Sequence, residues 1–237
     1  MPPFTALLDH PGIWRGDSLG RVETPGLPSG FHALDAELPG GGWPAGSLTE
    51  ILPAHEGIGE LRLLGPALAT LSKRKLWLAW IAPPHLPYAP ALAAAEIDMA
   101  RVVIVRAASL KETLWATEQA LRSNACGAVL TWLRAVKYAE LRRLQLAIEG
   151  TRAAAFLFRP AEVAGESSPA ALRIALGTAN GGLAVRLLKR RGALLARPIL
   201  LPAMPPVVRS RNAVCHVDRH PAVAAAAGNF PARRIHA

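Results

Sequence analysis

Cysteine is scarce: the two residues, Cys126 and Cys215, lie too far apart to form a CxxC pair. A disulfide framework and a thiolate metal site therefore have little to build on, and a reduced, cytoplasmic setting is the one this count fits. Aromatic residues supply only 5% of the chain although apolar residues reach 51%. A core built mainly from Leu and Ala favours helices packed on a sheet over an aromatic-rich sandwich. No apolar run approaches the ~18 residues of a membrane span. Met1 to Asp9 shows no basic region followed by an apolar stretch, so no signal peptide is expected. Acid is nearly missing from one end. From Gly181 to Ala237 ten Lys and Arg residues face one acid, Asp218, and this stretch carries +9 of the net charge of +10. Such an excess suits a polyanion or an acidic partner, with a merely solvated tail as the plainer alternative.

What is present is a regular alternation of strand and helix signals. A Pro- and Gly-rich lead-in covers residues 1–30, and a continuous α/β domain is expected over 31–200. Within it Ser47 to Leu52 reads as a strand, Glu60 to Lys73 as a helix (apolar at Leu61, Leu64, Leu68 and Leu71) and Lys75 to Ile81 as a buried strand. Pro90 to Asp98 reads as helix and Arg101 to Val105 as strand. Ser109 stands as N-cap of a helix to Ser123, with Glu112 completing a capping box. The strand Ala125 to Leu133, the helix Tyr138 to Glu149 and the strand Ala153 to Phe158 follow. Two last strands, Ala171 to Leu176 and Leu183 to Leu188, flank the hairpin signal Thr178-Ala-Asn-Gly-Gly182. This order predicts a mostly parallel sheet flanked by helices, with which a closing antiparallel hairpin is consistent. Residues 201–237, basic and rich in Pro and Ala, show no amphipathic period and are expected to be disordered alone.

In such a domain an early strand-to-helix turn is where a phosphate loop would sit. Here the turn reads Glu50-Ile-Leu-Pro-Ala-His-Glu-Gly-Ile-Gly-Glu-Leu61. Gly57 and Gly59 allow close backbone approach, but Pro53 stands where the first glycine belongs, Glu60 where the lysine belongs and Leu61 where the Mg²⁺-binding hydroxyl belongs. A lysine near a phosphate gains about 4 kcal/mol at an effective dielectric near 20, and a carboxylate loses a similar amount. A micromolar site is worth about 8 kcal/mol, so the reversal removes most of it. No cofactor is expected.

The stretch Leu38-Pro-Gly-Gly-Gly-Trp-Pro-Ala-Gly-Ser-Leu-Thr-Glu-Ile51 resembles the lead-in of RecA-type recombinases. Joined to Gly57-Ile-Gly-Glu-Leu-Arg-Leu-Leu64, it is similar to the ImuA family, RecA-like and SulA-related accessory proteins of bacterial translesion synthesis. The resemblance covers about Pro25 to Pro198. It implies a RecA-like, P-loop NTPase-type α/β core with a degenerate nucleotide site. It also implies loss of the catalytic chemistry: Pro84 stands at the catalytic glutamate, Thr131 at the Walker B aspartate, and Arg159 and Pro160 near the γ-phosphate sensor. The segments Trp132 to Val136 and Arg159 to Pro169 are short for DNA-binding loops.

What the resemblance implies about function is a non-enzymatic adaptor of the SOS-induced mutagenesis complex. Its partners would be an ImuB-like protein and a DnaE-type error-prone polymerase, with links to RecA. The alternative is a SulA-type inhibitor of cell division acting on FtsZ. Charge alone offers Arg186, Lys189, Arg190, Arg191, Arg197, Arg209 and Arg211 as contacts either to a partner or, weakly and non-specifically, to DNA. His55 and His85 read as loop residues. Trp77, Trp80, Trp115 and Trp132 read as packing or protein-interface residues.

Overall fold

The computed structural model describes residues 25–202. A short helix α1 (His32–Asp35) precedes β1 (Ser47–Pro53), α2 (Glu60–Lys73), β2 (Trp77–Ile81) and α3 (Ala89–Ala94). A 3-10 turn (Met99–Arg101) leads into β3 (Val102–Val105), α4 (Leu110–Arg122), β4 (Cys126–Trp132), α5 (Tyr138–Ile148) and β5 (Ala154–Phe158). After a second 3-10 turn (Ala161–Gly165) come β6 (Leu172–Ala179), β7 (Gly182–Lys189) and β8 (Ile199–Leu201). All eight strands form one sheet in the order β3-β2-β4-β5-β1-β6-β7-β8.

Each face of the sheet carries its own core. On one face Leu64, Leu68 and Leu71 of α2 pack with Ile51, Trp80, Leu130 and Phe156, and Trp43 meets Phe156 edge-on at 5.5 Å. On the other face Leu114 and Leu121 of α4 and Leu141, Leu144 and Ile148 of α5 cover Leu48, Ile81, Val129 and Leu157. Strands β1, β4 and β5 are buried on both faces; β5 (Ala-Ala-Phe-Leu-Phe) is accordingly apolar throughout, while β1 carries Thr49 and Glu50 and β4 carries Thr131 in buried positions. Ser109 caps α4 as its sequence predicts, taking the Glu112 N–H at 3.2 Å. The return contact differs: the Glu112 carboxylate accepts the Ala108 N–H at 2.8 Å, one residue ahead of the cap.

The expected RecA-like core is corrected here to a mixed eight-stranded sheet, whose β6–β7 hairpin stands where the turn signal predicts it. The sheet is mixed: β1 to β6 run parallel, β7 runs against β6, and β8 runs against β7. The reason is local. Ala179 pairs with Gly182, leaving Asn180 (φ 50°) and Gly181 (φ 76°) as a two-residue turn, which joins only antiparallel strands. Strand β8 and helix α1 carry too few residues for a periodic signal, and the sequence reading passes over both. In the described part of the lead-in, Leu27 bridges to Trp43 and Ser29 is buried. The expected disorder of the tail falls on residues outside those described, apart from 201 and 202.

One buried charge links the two halves of the sheet. Glu50 of β1 is fully buried and accepts the Arg173 Nε–H at 2.8 Å and the Ser168 hydroxyl at 2.6 Å. Arg173 spends its other donors on the carbonyls of Val163, Ala164 and Glu166. Arg159 lies 3.5 Å from Glu50 and 3.0 Å from Glu166. Removing one member of a buried pair strands its partner, at a cost of about 3–5 kcal/mol. Glu50→Ala and Arg173→Met are each expected to lower stability by that order. Glu50→Leu combined with Arg173→Met is expected to be less costly than either single change. Urea unfolding midpoints of the three variants check this.

Candidate functional site

Ligands of open α/β sheets bind beyond the carboxyl ends of the strands. Here the ends of β1, β2, β4 and β5 surround a cleft of about 480 Å³, lined by Pro53, His55, Glu56, Glu60, Pro84, Trp132, Arg134, Phe158, Arg159 and Glu162 among others. Within its lining Trp132 and Phe158 stack at 4.6 Å with 19° between their planes, and Trp80 lies 6.1 Å from Trp132. In its wall Glu56 pairs with Arg134 at 2.8 Å, and His85 is 3.9 Å from the same carboxylate.

The turn between β1 and α2 decides what this cleft can hold. Gly59 caps α2 with φ 120°, a conformation open to glycine and closed to most other residues. The Glu60 carboxylate folds back over the turn. One oxygen accepts the Gly57 N–H at 3.1 Å and the other the Gly59 N–H at 3.0 Å. Two backbone donors of the kind that cradle a phosphate are thus already bonded to an anion, and that anion is a side chain of the protein. Leu61 packs against the first core and offers no metal ligand.

Of the other positions implied by the resemblance, Pro84, Arg159 and Pro160 line this cleft with Pro53 and Glu60, whereas Thr131 does not. Pro84 is exposed at the cleft. Thr131 is fully buried, with its hydroxyl 3.1 Å from that of Thr117 in α4. Arg159 sends its side chain to Glu50 and Glu166. Of the basic residues, Lys189 donates to the Ser168 carbonyl at 2.8 Å, and Arg190 bonds the Glu37 carbonyl and pairs with the Glu37 carboxylate at 2.9 Å. Both are engaged in holding the domain together. Arg186, Arg191 and Arg197 are exposed, while Arg209 and Arg211 lie outside the described residues. Trp80 is buried and Trp132 half-buried, but Trp77 and Trp115 are exposed at 39% and 61%, which leaves them as surface rather than core. His55 and His85 are exposed loop residues. Burial pushes the Cys126 thiol above its usual pKa, against a hydrogen bond from Ser123 that lowers it, so the thiol stays protonated. Among the described residues no three His, Cys, Asp or Glu side chains are grouped to hold a metal ion, and no helix is long and apolar enough to cross a membrane.

The sequence reading missed the Glu50, Ser168, Arg159 and Arg173 cluster. A signal was available: an acid inside the apolar strand Leu48-Thr-Glu-Ile-Leu52 and an arginine inside Leu172-Arg-Ile174 both ask for a buried partner.

Two outcomes follow from the filled turn. Calorimetric titration with Mg-ATP is expected to reveal no saturable site tighter than about 100 μM, an affinity worth over 5 kcal/mol that needs open phosphate donors. Glu60→Ala is expected to free the Gly57 and Gly59 donors and to lower stability by about 1 kcal/mol, read from thermal unfolding.

Residues 46–155 match the family model described as the cell division inhibitor SulA. The chain is 36% identical over 100 residues to the cell division inhibitor SulA of Edwardsiella piscicida, a stretch covering 42% of this chain and 60% of that one. It is 32% identical over 134 residues to the protein ImuA of Caulobacter vibrioides, covering 54% and 55% of the two chains. Among solved structures, SulA from Pseudomonas aeruginosa aligns with a TM-score of 0.41 and 28% identity, over 49% of this chain and 99% of that one. The chain thus spans about three fifths or less of the length of these first curated relatives. The expectation of a RecA-like P-loop NTPase core is overturned: the family that matches is SulA, on a mixed eight-stranded sheet. Residues 46–155 thus match a SulA-family domain, and the chain is similar to both SulA and ImuA proteins.

Proposed function

We propose that this chain is a non-catalytic accessory protein of SOS-induced, error-prone translesion DNA synthesis, working with an ImuB-like protein and a DnaE-type polymerase. The observation that carries this reading is the likeness to ImuA, which extends over 134 residues against 100 for the Edwardsiella SulA. The Glu60 carboxylate on Gly57 and Gly59 supports the non-catalytic half of it, since a tethered anion occupies the donors a nucleotide would need. A second reading, a SulA-type inhibitor acting on FtsZ, is favoured by the family model over 46–155.

Co-purification with the ImuB-like and DnaE-type proteins of the same genome, with damage-induced mutation frequency in a deletion strain, tests the first reading. Binding and a loss of induced mutation are the expected results. Inhibition of FtsZ GTPase activity and cell filamentation on expression, without such binding, would establish the second. Truncation after Leu201 is expected to weaken association with the ImuB-like partner while leaving the melting of the remaining domain nearly unchanged.

Contact with DNA, where it occurs, is proposed to run through exposed arginines such as Arg186, Arg191 and Arg197. It is expected to ignore sequence and to fall steeply between about 50 and about 200 mM salt. Arg190→Ala is expected to lower thermal stability and to leave that DNA affinity nearly unchanged, because Arg190 is held by Glu37. Filter binding across salt and a melting curve read the two effects.

A further inference from the structure

Strand β3 ends the sheet, and among the described residues nothing pairs with its outer edge. Its sequence is four β-branched residues between two arginines, Arg101-Val-Val-Ile-Val-Arg106. Val103 and Ile104 are exposed at 42% and 37%, unusual for an apolar strand, and Leu86, which shares a groove with Ile104, is exposed at 64%. The Val105 carbonyl accepts the Ala82 N–H at 2.8 Å, so Val105 and Val103 turn their amide groups toward β2. Alternation leaves the N–H and C=O of Ile104 facing outward. Ile104 and Arg106 also line a groove of about 350 Å³ with Pro83, Pro84 and Leu86, large enough for an apolar side chain.

The flanking charges choose between occupants. In the antiparallel pairing of two copies centred on Ile104, each Arg106 would lie opposite the other copy's Val102, beside its Arg101, so the seam would gather four arginines with no acid between them, and like charges brought together oppose the pairing. The same arginines favour an acidic partner. Arg106 is exposed with no ion pair among the described residues, and Arg101 lies over the Trp77 ring at 5.1 Å. The acids near that end, Glu96 and Asp98, are held by Lys73 and Lys75.

We propose that the outer edge of β3 receives an extended apolar segment of a partner protein, bracketed by acidic residues, as an added strand. Ile104 bonds its backbone, the groove beside Leu86 takes one of its apolar side chains, and Arg101 and Arg106 face its acidic ends. This surface is independent of the functional reading above and stands under either one.

The test uses the full chain and a fluorescein-labelled peptide, Glu-Glu-Ile-Thr-Val-Thr-Ile-Glu-Glu, with a control carrying Lys in place of every Glu. Fluorescence anisotropy is expected to give binding about tenfold tighter for the acidic peptide. Ile104→Pro removes the outward donor without touching the β2 ladder, and Arg106→Glu reverses the charge. Each is expected to weaken the acidic peptide about tenfold, and Arg106→Glu to improve the lysine control. Arg152→Glu, at an exposed position in the loop before β5, controls for net charge and is expected to change little. Circular dichroism checks folding. If Ile104→Pro does not fold, Arg106→Glu decides. Equal binding of the two peptides, no binding of the acidic one, or an equal loss in Arg152→Glu overturns the proposal. Self-association of the unmodified chain that Ile104→Pro abolishes also overturns it, by assigning the edge to a second copy.

Discussion

A carboxylate buried in the middle of a sheet is tolerable only when every charge around it is matched, and Glu50 sets that condition for this fold. Strand β1 lies between β5 and β6, so the Glu50 side chain reaches Arg159 at the end of one neighbour and Arg173 near the start of the other. Burying an ion costs several kcal/mol before any partner is counted. Arg173 offsets that cost with a fork of donors shared between Glu50 and three backbone carbonyls, a geometry a lysine ammonium cannot reproduce. Ser168 completes the carboxylate, and its own carbonyl holds Lys189. The connection from β5 to β6 is therefore wrapped around one charge, and through it the antiparallel end of the sheet is fastened to the parallel part.

The same principle, a charge met from inside the molecule, explains the quiet cleft. Backbone N–H groups at a helix start attract anions whatever their source. The nearest anion to Gly57 and Gly59 is Glu60, attached by its own chain and so present at very high local concentration. Beneath the turn, Trp132 and Phe158 stack against one another, so aromatic rings stand where the strands could have offered acids or hydroxyls. Along the wall, Glu56 is met by Arg134. The outer edge of β3 is the contrasting case: Val103, Ile104 and Arg106 remain exposed, so chemistry available to another molecule lies at the rim of the sheet rather than at the strand ends.

The order of helices and strands was legible in the sequence because it rests on local signals. Apolar spacing in α2, the Ser109 cap of α4, and the Asn180-Gly181 turn act over a few residues, and each element formed at or within a few residues of its expected place. The absence of a phosphate-binding pattern was legible too, since it depends only on which side chains stand at Pro53, Glu60 and Leu61. The nature of the fold was less so. The resemblance drew on the Gly-rich lead-in and suggested a RecA-like core, whereas the matching family is SulA and the sheet is mixed.

Amino-acid order by itself determined the element sequence, the reversal of charge in the turn and the concentration of arginine toward one end. Only the tertiary structure decided how those charges are spent. Glu50 and Arg173 are separated by more than a hundred residues, as are Glu37 and Arg190, and a local pattern can at most show that a buried charge needs a partner, not which residue supplies it. The Glu60 carboxylate could have pointed to solvent, and its return to Gly57 and Gly59 depends on the φ of 120° at Gly59. Lys189 and Arg190 read as a free basic cluster until the fold brings backbone carbonyls within their reach. Periodicity acts between near neighbours along the chain, whereas a buried charge is satisfied by whatever the fold sets beside it, and that is known only once the sheet is closed.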